Sequence, residues 1–495
     1  MPLCRGTLHV IWLLPLLGGL AAAQQKAPGP LLEHWLPGSG LYPIEVSINA
    51  EEMSGEPSEP AEPEEDLSPE QALERINDRL DEAEKRGMLL MQRAQVHLRL
   101  GNTDESALDL MEAQAALRAE IPTEPGNARL VLGLAMVSTQ LGEVDKAISV
   151  LREALESDPA EAAYVAHLMP LLDEYDDTIV QRSLEAVRAK LQADPGDSKA
   201  LSDLFMLSMV RLADQDLHSD LMDLAGQGDY QGIADRLGLM DAFRAHRDAH
   251  PDDPVARWWL GKAYVVMGQM GTRSLMATAK HGSPEGPAAR FMAPAGELLA
   301  DAPGHPRAAA STYNALIVYH ALRGEGQEVI GVVESARQAF PDNESLPFLH
   351  AELVAEVGGD PEAGVRIATE ALEDTKTFAG VGSLAWVSAL SGDYPRARQL
   401  SGALLTEPDA VPGTVARRAM LVTAYTQAAQ GDYAGAEELV NQVLGLAPGL
   451  GPAIDKAIIL ALLGETSAAE DMLIDIATSN PADTASRALI GALNP

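Results

Sequence analysis

An all-α fold of stacked helix pairs is what this chain predicts, on three observations. Four stretches place a proline 17 residues after a glycine (159 − 142 in the first): Gly142 and Pro159, Gly324 and Pro341, Gly431 and Pro448, Gly464 and Pro481. Alanines recur in fixed phase between them, at Ala147 and Ala154, at Ala436 with Val443 in the second slot, and at Ala469. No strand-like alternation of useful length appears after residue 70. Each feature has a physical reason. Glycine ends a helix because it adopts the left-handed conformation cheaply. Alanine lets two helices approach closely, and proline stops the second one.

From the front, Arg5 precedes an apolar stretch, Val10 to Leu20, that ends in Ala21-Ala22-Ala23 before Gln24. That layout predicts a secretory signal peptide over 1–23, because the apolar run is short for a membrane span. Cys4 lies ahead of the run, where a lipidated cysteine would follow it. Residues 24–48 are apolar and aromatic, broken by proline and glycine, with Trp35 and Tyr42 among them. Two readings of this segment stay open: a cap folded onto the first helices, or an exposed motif for a partner. Residues 50–70 are acidic, proline-rich and almost free of apolar side chains, which predicts a disordered linker. The segment and linker together make up 24–68. A helix then starts cleanly, with Ser68 as N-cap, Pro69 at the first helical position and Gln71 at the third.

The repeats begin with that leading helix, about 69–86. A degenerate unit turns at Gly101-Asn102, and 127–160 holds the clearest unit of the N-terminal half, so 69–160 reads as one block. Over 161–305 the phase loosens. Unit ends survive at Pro195 and Pro251, and W-W-L-G-K-A-Y-V-V-M-G at 258–268 is a clear first helix. Two insertions, 214–238 and 271–290, interrupt this block. From 306 to 495 five units follow, with turns near Gly324, Gly359, Gly392, Gly431 and Gly464, and Thr484 to Leu493 reads as the solitary closing helix that such an array needs.

The prolines of the last two units are 33 residues apart (481 − 448). That spacing, with G-D-Y-A-G-A-E-E-L-V at 431–440 and G-E-V-D-K-A-I-S-V-L at 142–151, resembles the tetratricopeptide repeat, a helix–turn–helix unit of about 34 residues. The resemblance covers residues 86–495, about four-fifths of the chain. It implies a right-handed superhelical solenoid. Two departures stand out: the large aromatic often found early in the first helix is mostly absent, and the insertions interrupt the middle.

Composition narrows the function. The chain of 495 residues carries a net charge of −37, and removing 1–23, with Arg5 and no acid, leaves −38 (−37 − 1). So acidic a surface repels nucleic acid and anionic headgroups and attracts basic partners. Cys4 is the one cysteine, so a cleaved chain forms no disulfide, and an exported, cysteine-free protein points to a bacterial periplasm. Cell-surface or secreted placement is the alternative. Catalytic signatures are missing: there is no phosphate loop with lysine, no G-x-S-x-G and no H-E-x-x-H. His246 and His250 are four apart on a helix, yet no third ligand has a suitable phase, and the pair reads as solvent-facing near a helix end. The run Asp173, Glu174, Asp176, Asp177 lacks the glycine and distal glutamate of a calcium loop, and Asp214, Asp216 and Asp220 meet Ser219 and Ala225 where that loop needs glycine and glutamate. The pairs Met88 with Met91 and Met267 with Met270 read as core filling rather than copper ligands. No metal or cofactor is expected.

The resemblance also supplies a candidate site. In the family the first helix of each pair lines a concave groove where peptides lie. Counting back from each turn places Leu132 and Met136, Trp258 and Lys262, Asn314 and Val318, Trp386, Leu421 and Tyr425, and Ile454 and Ile458 in that lining. The alternative is that several pack against the neighbouring helix. The set lacks the lysine–asparagine–arginine clamp with which some members hold a C-terminal carboxylate, so the expected guest is an apolar or basic helix or extended segment. The expected function is a non-catalytic envelope scaffold or adaptor, with secretion or polysaccharide-export assembly as examples. Two other readings remain: a metal-binding or enzymatic site within 161–305, and a self-associating structural protein.

Overall fold

The computed structural model describes residues 69–493 except 84, 125, 271–274, 376, 407–410, 412, 447–449 and 480–483. The signal-like front, the 24–68 segment with Ser68, and Pro448 and Pro481 lie outside the described residues. Among the described residues there are 26 α-helices and no strand. They group into two compact units, one of 69–220 with 237–256 and one of 221–236 with 257–493.

The helices of the first unit are α1 (Pro69–Glu82), α2 (Gly87–Arg99), α3 (Thr103–Glu120), α4 (Ala128–Gln140), α5 (Val144–Ser157), α6 (Ala162–Leu168), α7 (Asp177–Ala193) and α8 (Ser198–Val210). The 214–238 insertion is itself helical, as α9 (Gln215–Gln227) and α10 (Tyr230–Leu237), and α11 (Met240–Ala249) returns to the first unit. The second unit holds α12 (Pro254–Gly268) from Arg257 onward, α13 (Leu275–His281), α14 (Pro287–Phe291) and α15 (Ala293–Leu299). Five regular pairs follow: α16 (Ala310–Leu322) with α17 (Gly326–Ala339), α18 (Leu346–Glu356) with α19 (Pro361–Asp374), α20 (Phe378–Leu390) with α21 (Tyr394–Thr406), α22 (Gly413–Ala429) with α23 (Tyr433–Leu446), and α24 (Leu450–Leu462) with α25 (Thr466–Ser479). The closing helix is α26 (Thr484–Leu493). The leading helix ends at Glu82, a turn earlier than the sequence suggests.

The turns between paired helices are built alike. Gly101, Gly142, Gly324, Gly359, Gly392, Gly431 and Gly464 all have φ between 69° and 87°. At most of them the amide after the glycine donates to the carbonyl five residues back, as in Glu143 to Ser138 (2.8 Å), Asp393 to Ser388 (2.9 Å) and Asp432 to Gln427 (2.9 Å). That bond, with the glycine amide bonded three residues back, satisfies carbonyls the helix end would leave bare. The acid after the glycine then divides by length. Asp360, Asp393 and Asp432 accept from the amide three residues on and cap the second helix. The longer Glu143 and Glu325 turn outward, Glu143 to Gln114 and Lys146, Glu325 to His320 and Arg323.

Within the second unit the two helices of a pair are buried differently. Second helices bury one stripe, such as Val329, Val333 and Ala336 on α17 or Ala436, Val440 and Val443 on α23. First helices are enclosed nearly all round: every residue from Gly380 to Ala389 of α20 is buried. One cluster runs from Phe348 through Trp386 and Tyr425 to Ile459 and Leu489, so consecutive pairs share a continuous core. Ala147, Ala436 and Ala469 are fully buried in their pairs, as their phase predicts.

Candidate protein-binding surface

The groove register is defined by distance from the turn glycine. The residue six before it is Gln95 in α2 and Met136 in α4, and both are exposed. Leu98, at 47% exposure, and the half-buried Leu132 and exposed Thr139 extend this face across the two helices. Burying such apolar side chains under a guest is favourable, at about 25 cal/mol per Å². In the first unit the register therefore presents a surface.

In the second unit the same position is sealed. Lys262, Val318, Leu353, Trp386, Tyr425 and Ile458 each keep 3% exposure or less. At the position ten before the turn, Trp258, Leu421 and Ile454 are buried, while Asn314 is exposed. The predicted lining thus divides into Leu132, Met136 and Asn314 at or near the surface and eight side chains in the core.

Polar groups hold that sealed face together. Arg418 of α22 pairs with Glu352 of α18 at 2.6 Å, with both side chains all but inaccessible, and its other terminal nitrogen donates to Ser383 of α20. Burial pushes the Glu352 carboxyl well above the usual carboxylate range, and the nearby Arg418 guanidinium opposes that rise. One turn on, the Trp386 indole donates to Glu356, which also pairs with Lys280 of α13 at 3.2 Å. The Trp386 and Tyr425 rings meet edge to face at 5.0 Å. Lys262 donates to Ser311, and the Trp258 indole donates to Asp301 at 3.0 Å. These contacts tie successive first helices to one another.

A cleft of about 520 Å³ opens elsewhere in the second unit, lined by Pro303, Gly304, His305, Tyr313, Gln338 and Phe340. In the first unit, Lys199 of α8 bridges Asp203 at 2.6 Å and Glu161 at 3.1 Å. Burial is the largest influence on Asp203 and raises its carboxyl to about 6 against the pull of Lys199.

The histidine pair differs from its expected exposure. His246 is buried, its Nδ1 lies 3.2 Å from the Pro195 carbonyl, and His250 Nε2 lies 3.0 Å from that of Gly196. The two rings clasp the turn between α7 and α8, because its carbonyls have no helical partner. Asp176 and Asp214 are spent on helix N-termini, accepting from Thr178 and Asp216. Among the described residues no group of three or more His, Cys, Asp or Glu is placed to hold a metal ion, and no helix is long and apolar enough to cross a membrane.

Models of the tetratricopeptide repeat match residues 105–169, around the Gly142 turn, and 391–450, around the Gly431 turn. The chain carries tetratricopeptide repeats. Solved structures that resemble it include yeast Tom70, at 13% identity over 83% of this chain and 88% of that one, with a TM-score of 0.36. The human IFIT1 dimer with m7Gppp-AAAA aligns at 14% identity over 91% and 96%, with a TM-score of 0.37. The APC/C hetero-tetramer Cut9-Hcn1 aligns at 14% over 86% and 93%, with a TM-score of 0.32. No curated protein matches the chain. Tetratricopeptide repeats form protein-binding scaffolds.

Proposed function

We propose that this protein is a non-catalytic, exported adaptor that holds a protein segment against the first helices of its N-terminal repeats. The observation that carries the reading is the exposed register of the first unit: Gln95 and Leu98 on α2 beside Leu132, Met136 and Thr139 on α4. In the second unit the position equivalent to Gln95 and Met136 is buried in every pair from α12 to α24. The guest that suits this face is an apolar or basic helix or extended segment, because the surface is apolar and the chain carries −37. A periplasmic or envelope role is supported by the signal-like first 23 residues and by the lack of cysteine after Cys4. Co-purification from an envelope fraction tests the reading. The Leu132→Glu plus Met136→Glu variant loses the partner that the wild type retains. Leu108→Glu plus Met111→Glu, at exposed positions of α3, keeps it. Equal retention by both variants would overturn the proposal.

A further inference from the structure

The segment between α12 and α14 is an insertion within a helix pair. A side chain at Gly261 of α12 would meet Leu299 of α15 at 2.8 Å, and one at Gly268 would run into Met292. The end of α12 therefore faces the start of α15 and its middle faces the end, so α15 runs antiparallel to α12 as the second helix of this pair. Between the two helices of this pair, α13 packs against other repeats.

What α13 touches is the groove register of the second unit. It packs against α16, α17 and the closing helix α26. Its Leu275, Met276 and Ala279 join Ile317 and Ala321 of α16 and Leu349 and Leu353 of α18 in one core cluster. Ile317 and Ala321 lie seven and three residues before the Gly324 turn, and Leu349 and Leu353 lie ten and six before Gly359. Ala321, Leu349 and Leu353 thus stand three, ten and six before their turns, on the face that Leu98, Leu132, Met136 and Thr139 present in the first unit, while Ile317 belongs to the core beneath it. Lys280 completes the engagement by pairing with Glu356, three before Gly359, which also receives the Trp386 indole. A seven-residue helix thus lies where a guest would lie, with an apolar side and a lysine on a nearly inaccessible carboxylate.

We propose that α13 is a resident guest, and that the second unit binds a partner helix of the same kind by exchanging it for α13. The pattern Leu275-Met276, Ala279, Lys280 specifies that partner: two large apolar side chains in the first turn, a small residue one turn on, and a cation after it. This rests on the reading of the repeats as a protein-binding scaffold. A tethered helix competes at an effective concentration on the order of millimolar, so a free helix binds weakly until α13 is expelled.

The test uses a labelled peptide of residues 275–282 and the full chain. Met276→Asp plus Ala279→Asp drives α13 out of its apolar site. The variant is expected to bind the peptide at least about tenfold more tightly than the wild type, and a peptide carrying Lys280→Glu loses that binding. Equal binding by both chains, or none by a folded variant, overturns the proposal. Should the variant fail to fold, hydrogen exchange on the wild type decides. The α13 amides are expected to exchange at least about tenfold faster than those of α16, and equal rates refute the exchange. Failure here with partner capture at Leu132 and Met136 intact rejects the resident guest alone. Loss of that capture with peptide binding intact rejects the N-terminal site alone.

Discussion

Replacing Arg418 by methionine removes the only cation within ion-pair distance of Glu352 among the described residues. The Glu352 carboxylate has no exposed surface, and Arg418 keeps 2%. Breaking a pair this deep costs about 3–5 kcal/mol, because the surviving charge has neither water nor a counter-charge. For a unit of this size that lowers its Tm by roughly 6–20 °C. The double variant Glu352→Leu plus Arg418→Met removes both charges and is expected within about 1 kcal/mol of the wild type, or above it. The pH dependence supplies a second check. The folded pKa of Glu352 is raised above its unfolded value, so its contribution is full at low pH and lost as pH rises through the folded value. Without Arg418 that value rises further, so acid narrows the gap between the single variant and the double variant. Calorimetry at two pH values measures both effects. Additive single-variant losses, with the double variant no better than Arg418→Met, would refute the argument that the pair acts as one buried unit.

Three further predictions follow from the same structure. Asp203 titrates near 6 when folded against 3.8 otherwise, so its contribution is full below about pH 4 and is lost as pH rises through 6. Between pH 4 and 7 the wild type should lose on the order of 2–3 kcal/mol more than the Asp203→Asn variant, by urea titration at each pH. Gly392 and Gly324 both sit at positive φ, but a side chain at Gly392 meets open space while one at Gly324 runs into the Gly282 carbonyl. Gly392→Ala should cost about 1–2 kcal/mol and Gly324→Ala clearly more, and equal costs would contradict the packing of Gly282 against that turn. Ala436 is fully buried between paired helices, so Ala436→Leu should cost about 1–3 kcal/mol by thermal unfolding.

Much of the fold was legible because its turns need a conformation that one residue type supplies cheaply. Gly101, Gly142, Gly324, Gly359, Gly392, Gly431 and Gly464 are all helix-ending, and the closing helix spans Thr484–Leu493 as read. The binding register was legible as positions but not as surface. Met136 and Trp386 occupy the same place in their repeats, yet one is exposed and the other buried, because burial depends on chain that returns from far away in sequence. The cover over the second unit was hidden twice over: 271–290 reads only as an insertion that interrupts the repeats, and the partner of Glu352 lies 66 residues on (418 − 352). One local signal was available. Glu352 and Glu356 stand a turn apart in L-P-F-L-H-A-E-L-V-A-E, a helix otherwise apolar except for His350, where an acid must find a partner. The histidine pair misled for a related reason, since spacing shows that two side chains share a face but not what that face meets.

The most direct test of the scaffold reading is photo-crosslinking in cells, with a crosslinking amino acid placed singly at Gln95, Met136, Leu108 and Met111. All four positions are exposed, two on the groove register and two on α3. The account predicts one protein other than this chain crosslinked reproducibly from Gln95 and Met136 and not from Leu108 or Met111. The same yield from all four positions, or crosslinks only between copies of this chain, would contradict it.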